Sequence, residues 1–282
     1  MTVTNPRWAR HYESLEDFLA VMDGKEKELR ELRSSAITGS KDFTGTEDFA
    51  SAVTIARHGW PEGARRVRDI AGGLQHNLEA HIVKQASYYD IEGADVNVGR
   101  YLDGNPDCMI NFRKAERTGS PVVTISVNAS LGGGHGTDII EARGAAIAAL
   151  VDLMEMAGVR VELWAGSLTQ GRSKTDTYAQ RVCIKQANDA LDIDRVAFCL
   201  AHPSFLRRLS FAERDLCSDD TQRKAMGYGK FDGGYGMAIE IIDPDMQLHV
   251  PSYNNDSRNW KHSDAAKNWI IEQLKKFNCY QD

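Results

Sequence analysis

The stretch Pro121-Val-Val-Thr-Ile-Ser-Val-Asn128 decides the fold, because a glycine-rich loop and one long helical pattern follow it directly. Apolar and polar residues alternate along the stretch, which predicts a β-strand. Residues 138–157 carry a broad apolar stripe at helical spacing, and residues 159–165 alternate again as a second strand. Two strands joined by such a helix predict a βαβ crossover and a parallel sheet. Because ligands meet such sheets at the carboxyl ends of strands, the loop at 128–137 is the candidate site.

The rest of the chain predicts an α/β protein with a mixed, mainly parallel sheet and helices on both faces. Residues 118–282 contain further strand patterns at 178–187, 237–242 and 248–250, a predicted loop at 166–177, and a last helix with Ser263 as its N-cap. Residues 1–117 are richer in helical patterns, so we predict an α-rich region packed on the core of the 118–282 domain. Arg207 and Arg208 are expected to reach water from a helix end.

Composition excludes several classes of protein. The 282 residues suffice for a large core, and the formal net charge of −6 disfavours nonspecific binding of nucleic acid. Five cysteines without a CxxC pair favour neither a zinc ribbon nor a disulfide framework, so a reducing, intracellular setting is expected. No apolar run follows the first residues and none is long enough for a membrane span, so neither a signal peptide nor a membrane partner is expected.

The loop after the first strand contains glycines and lies before a helix N-terminus. An amide, on Asn128, and a hydroxyl, on Ser130, stand at the end of the strand. Its candidate binding residues are Asn128, Ser130, Gly132, His135, Thr137 and Asp138. Converging backbone N–H groups could hold a phosphate, although the spacing is that of neither a P-loop nor a dinucleotide-binding loop. One function hypothesis is therefore an enzyme or binding protein for a phosphate-containing ligand at 132–138, with His135 and Asp138 as acid and base. The simpler interpretation of His135 is a solvated loop side chain.

Residues 121–165 resemble the first half of a von Willebrand factor A (vWA) domain. In that family the first strand ends in a DxSxS motif, which binds a divalent metal, and a long helix leads to the second strand. Here the motif positions are Asn128-x-Ser130-x-Gly132, so the carboxylate and one hydroxyl are absent. Since hard cations prefer anionic oxygen ligands, no metal site and at most weak Mg²⁺ binding are expected.

The whole sequence, including Phe43-Thr-Gly-Thr-Glu-Asp-Phe49, also resembles a group of bacteriophage proteins, which implies a setting in the host cytoplasm or the virion. The vWA resemblance implies an adaptor or assembly role, including adaptors of AAA+ ATPases. The leading function hypothesis is thus a non-catalytic, phage-encoded interaction module. Its partner would be an AAA+ ATPase, a phage assembly component or a host protein. The docking loops would be 128–137 and the polar, aromatic segment 253–260 with Tyr253 and Asn254.

Overall fold

The computed structural model describes residues 2–4, 10–78, 87–93, 95–112, 120–132, 134–170, 177–216, 237–242, 245–256 and 258–280. The strands are β1 (Thr2–Thr4), β2 (Arg10–Tyr12), β3 (Ser87–Asp90), β4 (Asp95–Val96), β5 (Met109–Phe112), β6 (Val122–Asn128), β7 (Arg160–Gln170), β8 (Thr177–Lys185), β9 (Met237–Ala238), β10 (Glu240–Ile242) and β11 (Leu248–Val250).

The α-helices are α1 (Leu15–Ala20), α2 (Glu26–Glu31), α3 (Ser35–Thr38), α4 (Lys41–Thr44), α5 (Phe49–His58), α6 (Pro61–Gly72), α7 (Val98–Leu102), α8 (Thr137–Met156), α9 (Ile193–Ala201), α10 (Phe211–Asp215) and α11 (Ser263–Lys276). A π-helical segment, Phe205–Ser210, leads directly into α10. None of the helices that the structure describes combines the length and the apolar character that crossing a bilayer requires.

The central sheet has the strand order β11-β6-β7-β8-β2, and β9 pairs with the end of β7. β6 is parallel to both β11 and β7, and β2 is parallel to β8. β8 and β9 run antiparallel to β7. The predicted α/β fold with a mixed, mainly parallel sheet is therefore confirmed. Two small sheets stand beside it, the parallel pair β1-β10 and the antiparallel β3-β5-β4.

Helix α8 forms the centre of the core. It packs against α6, α9, α11 and β7. Its buried side chains belong to the same hydrophobic cluster as Ile125 of β6 and Leu163 of β7. Gly144 permits a close approach of α8 and α9, because a Cβ there would lie 2.1 Å from the carbonyl oxygen of Leu200. The chain leaves the helix through Gly158, whose φ of +86° favours glycine. This packing fixes the N-terminus of α8 at the carboxyl end of β6.

Two predictions of local structure are wrong. β7 does not end at residue 165 but continues to Gln170, where it pairs in antiparallel register with Thr177 of β8. Gly166 and Ser167 favour a loop locally, but cross-strand pairing overrides that preference. α11 begins at Ser263, yet its N-cap is His262, so the cap prediction is displaced by one residue. The pattern of residues 82–91 also permits a strand; β3 (Ser87–Asp90) lies within that range, and residues 82–86 lie outside the described residues.

The N-terminal region contributes directly to the sheet and the core. β2 pairs with β8 through Arg10–Gln180 and Tyr12–Val182. α1, α5 and α6 place side chains such as Phe18 in the same hydrophobic cluster as α8 and β7. The division at 117/118 stays a prediction, and helices α1 to α6 share one core with the rest of the chain.

Candidate functional site

Asn128, at the carboxyl end of β6, is buried with 1% of its surface exposed. Its Nδ2 donates to the carbonyl oxygen of Ile239 at 2.8 Å and to Oε2 of Glu240 at 3.1 Å. Its Oδ1 accepts a hydrogen bond from the backbone N–H of Ser130 at 3.0 Å. Donors and acceptor of this amide are thus both engaged with the protein itself.

Ser130 is equally committed to internal contacts. Its hydroxyl donates to the carbonyl oxygen of Leu168 at 2.9 Å and accepts from the N–H of Leu168 at 2.7 Å. The Ser167 hydroxyl lies 3.1 Å away. These bonds tie the loop to β7 in the part of that strand which sequence reasoning took for a loop. Asn128 and Ser130 therefore hold the strand end together instead of facing outward.

Glu240 lies next to Asn128 and was not predicted as part of the site. Its Oε1 accepts the N–H of Ser252 at 2.7 Å, and its Oε2 lies 3.1 Å from Nε2 of His249. A buried carboxylate thus reaches the carboxyl end of β6 from a different strand. Among the described residues, no three His, Cys, Asp or Glu side chains are grouped as metal ligands would be.

Arg143, nearly two helical turns into α8, was also missed. Its Nη2 donates to the carbonyl oxygens of Asn128 at 3.2 Å and Pro251 at 2.6 Å. Burial lowers the pKa of this guanidinium to about 10, so it remains charged at neutral pH. Because its two acceptors belong to the first loop and to the segment before Tyr253, Arg143 fixes these two parts of the chain to each other.

The two predicted loops do meet. The backbone N–H of Gly132 points to Oδ1 of Asn254 at 3.4 Å, and the rings of His135 and Tyr253 lie edge to face with centroids 4.7 Å apart. We call this surface the platform and define it by its six members, Gly132, His135, Thr137, Asp138, Tyr253 and Asn254. Its members are exposed or half-buried, in contrast to Asn128 and Ser130.

Arg207 holds the platform loop by hydrogen bonds from its guanidinium. Its Nη2 donates to the carbonyl oxygen of His135 at 2.7 Å and its Nη1 to that of Phe43 at 2.8 Å. The guanidinium also lies over the Phe43 ring, 4.2 Å from its centroid. Burial lowers the pKa of Arg207. The expectation that this side chain reaches water is wrong, since it joins the loop to the N-terminal region.

Asp138 lies in the first turn of α8, whose N-cap Gly136 provides no side-chain cap. Its Oδ1 accepts the N–H of Ile139 at 3.0 Å, and Nζ of Lys261 lies 2.6 Å from its Oδ2. The hydrogen bond from Lys261 lowers the pKa of Asp138. A negative charge is therefore already present where a helix N-terminus attracts anions.

An open groove of about 380 Å³ runs between α6 and α8 and reaches the platform at Asp138. Its lining combines the aliphatic residues Ile70, Ala142 and Ala145 with the charged residues Arg66, Asp69, Asp138 and Glu141. Arg66 pairs with Glu141 across the groove. The groove extends the accessible surface beside the platform.

Comparison with known proteins gives a family and no activity. No curated protein and no solved structure matches the chain. Residues 2–281 match the family described as "Domain of unknown function (DUF7192)". This match spans nearly the whole chain, and the protein therefore belongs to that family.

Proposed function

We propose that this chain is a non-catalytic, phage-encoded interaction module whose platform holds a protein partner. The observation that carries the proposal is the contrast between inward and outward groups at the end of β6. Asn128 and Ser130, which correspond to the metal-binding positions of the vWA resemblance, use their polar atoms inside the protein. The neighbouring platform side chains are accessible instead.

The chemistry of the platform suits a protein surface. Tyr253 and His135 offer ring area with polar atoms, and the glycine-rich loop offers accessible backbone. Aromatic centres with a polar rim are typical of protein interfaces. Arg143 and Arg207 hold the loops in place, so a partner would meet a preorganised surface.

The partner that we propose is an AAA+ ATPase, a phage assembly component or a host protein, met in the host cytoplasm or in the virion. This part of the proposal is supported by the vWA and bacteriophage resemblances of the sequence. The net charge of −6 makes nucleic acid a poor partner for the chain as a whole.

The alternative, a phosphate-containing ligand at 132–138, has less support. The carboxylate of Asp138 already accepts the N–H of Ile139 at the start of α8 and pairs with Lys261. A phosphate at this helix end would meet that negative charge. The distinction is testable, because a small ligand at ~100 times its Kd adds about 2.7 kcal/mol to the free energy of unfolding.

A pair of glycine substitutions tests the proposal. Gly134, on the loop of the platform, and Gly72, at the end of α6, both have open space where a Cβ would lie. Gly134→Arg adds bulk and charge to the platform, and Gly72→Arg makes the same change away from it. Tagged versions of both variants and of the wild type would be purified from infected host cells and compared by quantitative mass spectrometry.

We expect one protein to co-purify with the wild type and with Gly72→Arg and to be depleted about tenfold or more with Gly134→Arg, since tenfold corresponds to 1.4 kcal/mol of binding free energy. Equal recovery with both variants would contradict the proposal. A rise in melting temperature of the wild type with Mg²⁺, inorganic phosphate or ATP that Gly134→Arg abolishes would favour the alternative.

A further inference from the structure

Residues 87–93 and 95–112 form a small unit in which exposed side chains predominate. It consists of the sheet β3-β5-β4 and the short helix α7. We call it the acidic tab. Among its residues whose burial is described, none is buried, whereas the central sheet and α8 are dominated by buried side chains. Its surface is therefore available for contacts outside the chain.

The acidic tab concentrates apolar side chains on its surface. Of the nine large hydrophobic residues exposed in the described part of the chain, six belong to it: Tyr89, Ile91, Val96, Val98, Tyr101 and Leu102. Leu102 is 78% exposed and Tyr101 65%. Val98, Tyr101 and Leu102 have the spacing i, i+3, i+4 and so share one face of α7. Contiguous exposed apolar surface of this kind marks interaction sites.

The charge of the tab is as distinctive as its apolar surface. Five acidic residues stand against one arginine, a formal net charge of −4 within a chain of −6. The acids are Asp90, Glu92, Asp95, Asp103 and Asp107, all of them exposed. The arginine, Arg100, donates through Nε to the carbonyl oxygen of Asp107 at 2.9 Å and lies over the Tyr89 ring. The exposed apolar side chains therefore belong to a unit of strongly negative charge.

Polar contacts among the described residues of the tab give it a defined shape. Asn97 caps α7, because its Oδ1 accepts the N–H of Arg100 at 3.1 Å, and its Nδ2 donates to the Tyr89 hydroxyl at 3.1 Å. Its backbone N–H donates to the carbonyl oxygen of Cys108 at 2.8 Å. The exposed side chains thus stand on a preorganised frame, which lowers the entropy cost of binding.

We infer that the acidic tab is a second docking surface, and that its partner is a protein segment carrying lysine or arginine among apolar residues. Apolar contact would bury the α7 face, and the cations would meet the surrounding carboxylates. The charge disfavours nucleic acid and anionic lipid. The charge also disfavours a second copy of this chain as the partner, since a two-fold contact would bring together two tabs that each carry a formal net charge of −4.

Fluorescence anisotropy with the full chain tests this inference. The probe is a fluorescein-labelled amphipathic peptide of leucine and lysine, and its counterpart has glutamate in place of lysine. One variant combines Val98→Ser, Tyr101→Ser and Leu102→Ser, and a second combines Asp95→Asn, Asp103→Asn and Asp107→Asn. The controls are Met156→Ser, an exposed apolar residue elsewhere, and the combination of Glu26→Gln, Glu28→Gln and Glu31→Gln on α2.

We expect the lysine peptide to bind the wild type and both controls, and the glutamate peptide to bind none of them. Each tab variant should weaken binding about tenfold or more, and because the changed side chains are exposed, the melting temperature should be retained. If the α2 control weakened peptide binding as much as the tab variants do, the binding would depend only on the net charge of the chain, and the inference would be overturned. No binding to the wild type, or a dimer in sedimentation that the α7 variant dissolves, would overturn it as well.

Discussion

Arg208 illustrates how a charged side chain lies fully inside this protein. Its Nε donates to the Thr46 hydroxyl, its Nη1 to the carbonyl oxygen of Ala36, and its Nη2 to those of Gly39 and Thr46. The prediction that it reaches water from a helix end is wrong. A sequence pattern cannot reveal this, because the acceptors are the Thr46 hydroxyl and backbone oxygens of α3 and of the connections that follow α3 and α4, far from residue 208 along the chain.

The candidate site shows the same limit at the scale of residues. The eight predicted residues were found from local signals, namely a strand end, glycines and a polar loop. The amide of Asn128, however, is held by Ile239 and Glu240, and the loops are joined by Arg143. Nothing local marks Glu240 or Arg143, so their positions follow only from the folded chain.

Asn128→Asp should destabilise the protein. The substitution replaces an N–H donor by a carboxylate oxygen that faces the carbonyl oxygen of Ile239 and the Glu240 carboxylate. We expect a loss of roughly 3 kcal/mol at pH 7 in urea unfolding, because two acceptors lose their donor and two buried carboxylates meet. Asn254→Asp is the control, since that amide is exposed and its Oδ1 contact survives.

Mg²⁺ should not restore the stability of Asn128→Asp, because the Ser130 hydroxyl is already used by Leu168. Calorimetric Mg²⁺ binding together with a recovered melting temperature would show that the strand end has retained a metal-binding geometry. That result would weaken the interpretation of Asn128 as a structural residue.

Tyr178→Phe should lower stability in a pH-dependent way. Glu213 is buried and accepts hydrogen bonds from the hydroxyls of Tyr178 at 2.7 Å and Tyr12 at 2.8 Å, and Nε of Arg10 lies 3.6 Å away. Burial raises the pKa of Glu213 above its ordinary value of 4.5, and the tyrosine hydroxyls partly offset this. Without Tyr178 the pKa rises further, since the carboxylate loses a donor.

The substitution therefore lowers the free energy of unfolding fully at pH values above the raised pKa of Glu213, where the carboxylate is charged. This loss shrinks as the pH falls towards 4.5, because protonated Glu213 no longer needs the lost donor. We expect a loss of about 2 kcal/mol at pH 8, where a hydrogen bond to a charged group is removed, and a smaller loss at pH 5. Urea unfolding at both values measures it. Tyr101→Phe, which changes an exposed tyrosine, should leave the stability unchanged at both pH values. An equal loss of stability from Tyr178→Phe at pH 8 and at pH 5 would speak against a charged Glu213.

At the scale of elements, β6, α8 and β7 were predictable because each carries a strong periodic pattern of its own. Alternation marks the two strands, and the broad stripe of α8 reflects burial on several sides. The end of β7 was not predictable, since residues 166–170 become a strand only through pairing with β8. Local patterns therefore predict the crossover, and long-range pairing decides where its second strand ends.

Gly144→Ala should be strongly destabilising. Its Cβ would lie 2.1 Å from the Leu200 carbonyl oxygen and 2.3 Å from Cα of Ala201, so α8 and α9 would have to separate. We expect a loss of about 3 kcal/mol in thermal or urea unfolding. Gly72→Ala, with open space around it, should be neutral or stabilising by up to about 1 kcal/mol. Similar stabilities of the two variants would mean that the helices approach less closely than the structure indicates.

At the scale of the whole molecule, the N-terminal region and the α/β domain are joined by specific contacts. β2 is an edge strand of the central sheet, and Arg207 bonds both to Phe43 and to the loop at His135. The α-rich character of this region was predictable from helical spacing, but its strand β2 was not, because three residues carry too little pattern. The shape of the platform therefore depends on the N-terminal region as well as on the α/β domain.

The most direct test of the central claim is amide hydrogen exchange on the complex recovered from infected cells, compared with the free protein. If the platform holds a protein partner, residues 134–138 and 253–256 should become protected together, because both line one surface. Amides of α2, which lies outside that surface, should exchange as in the free chain. Protection elsewhere with unchanged exchange in these two segments would contradict the claim.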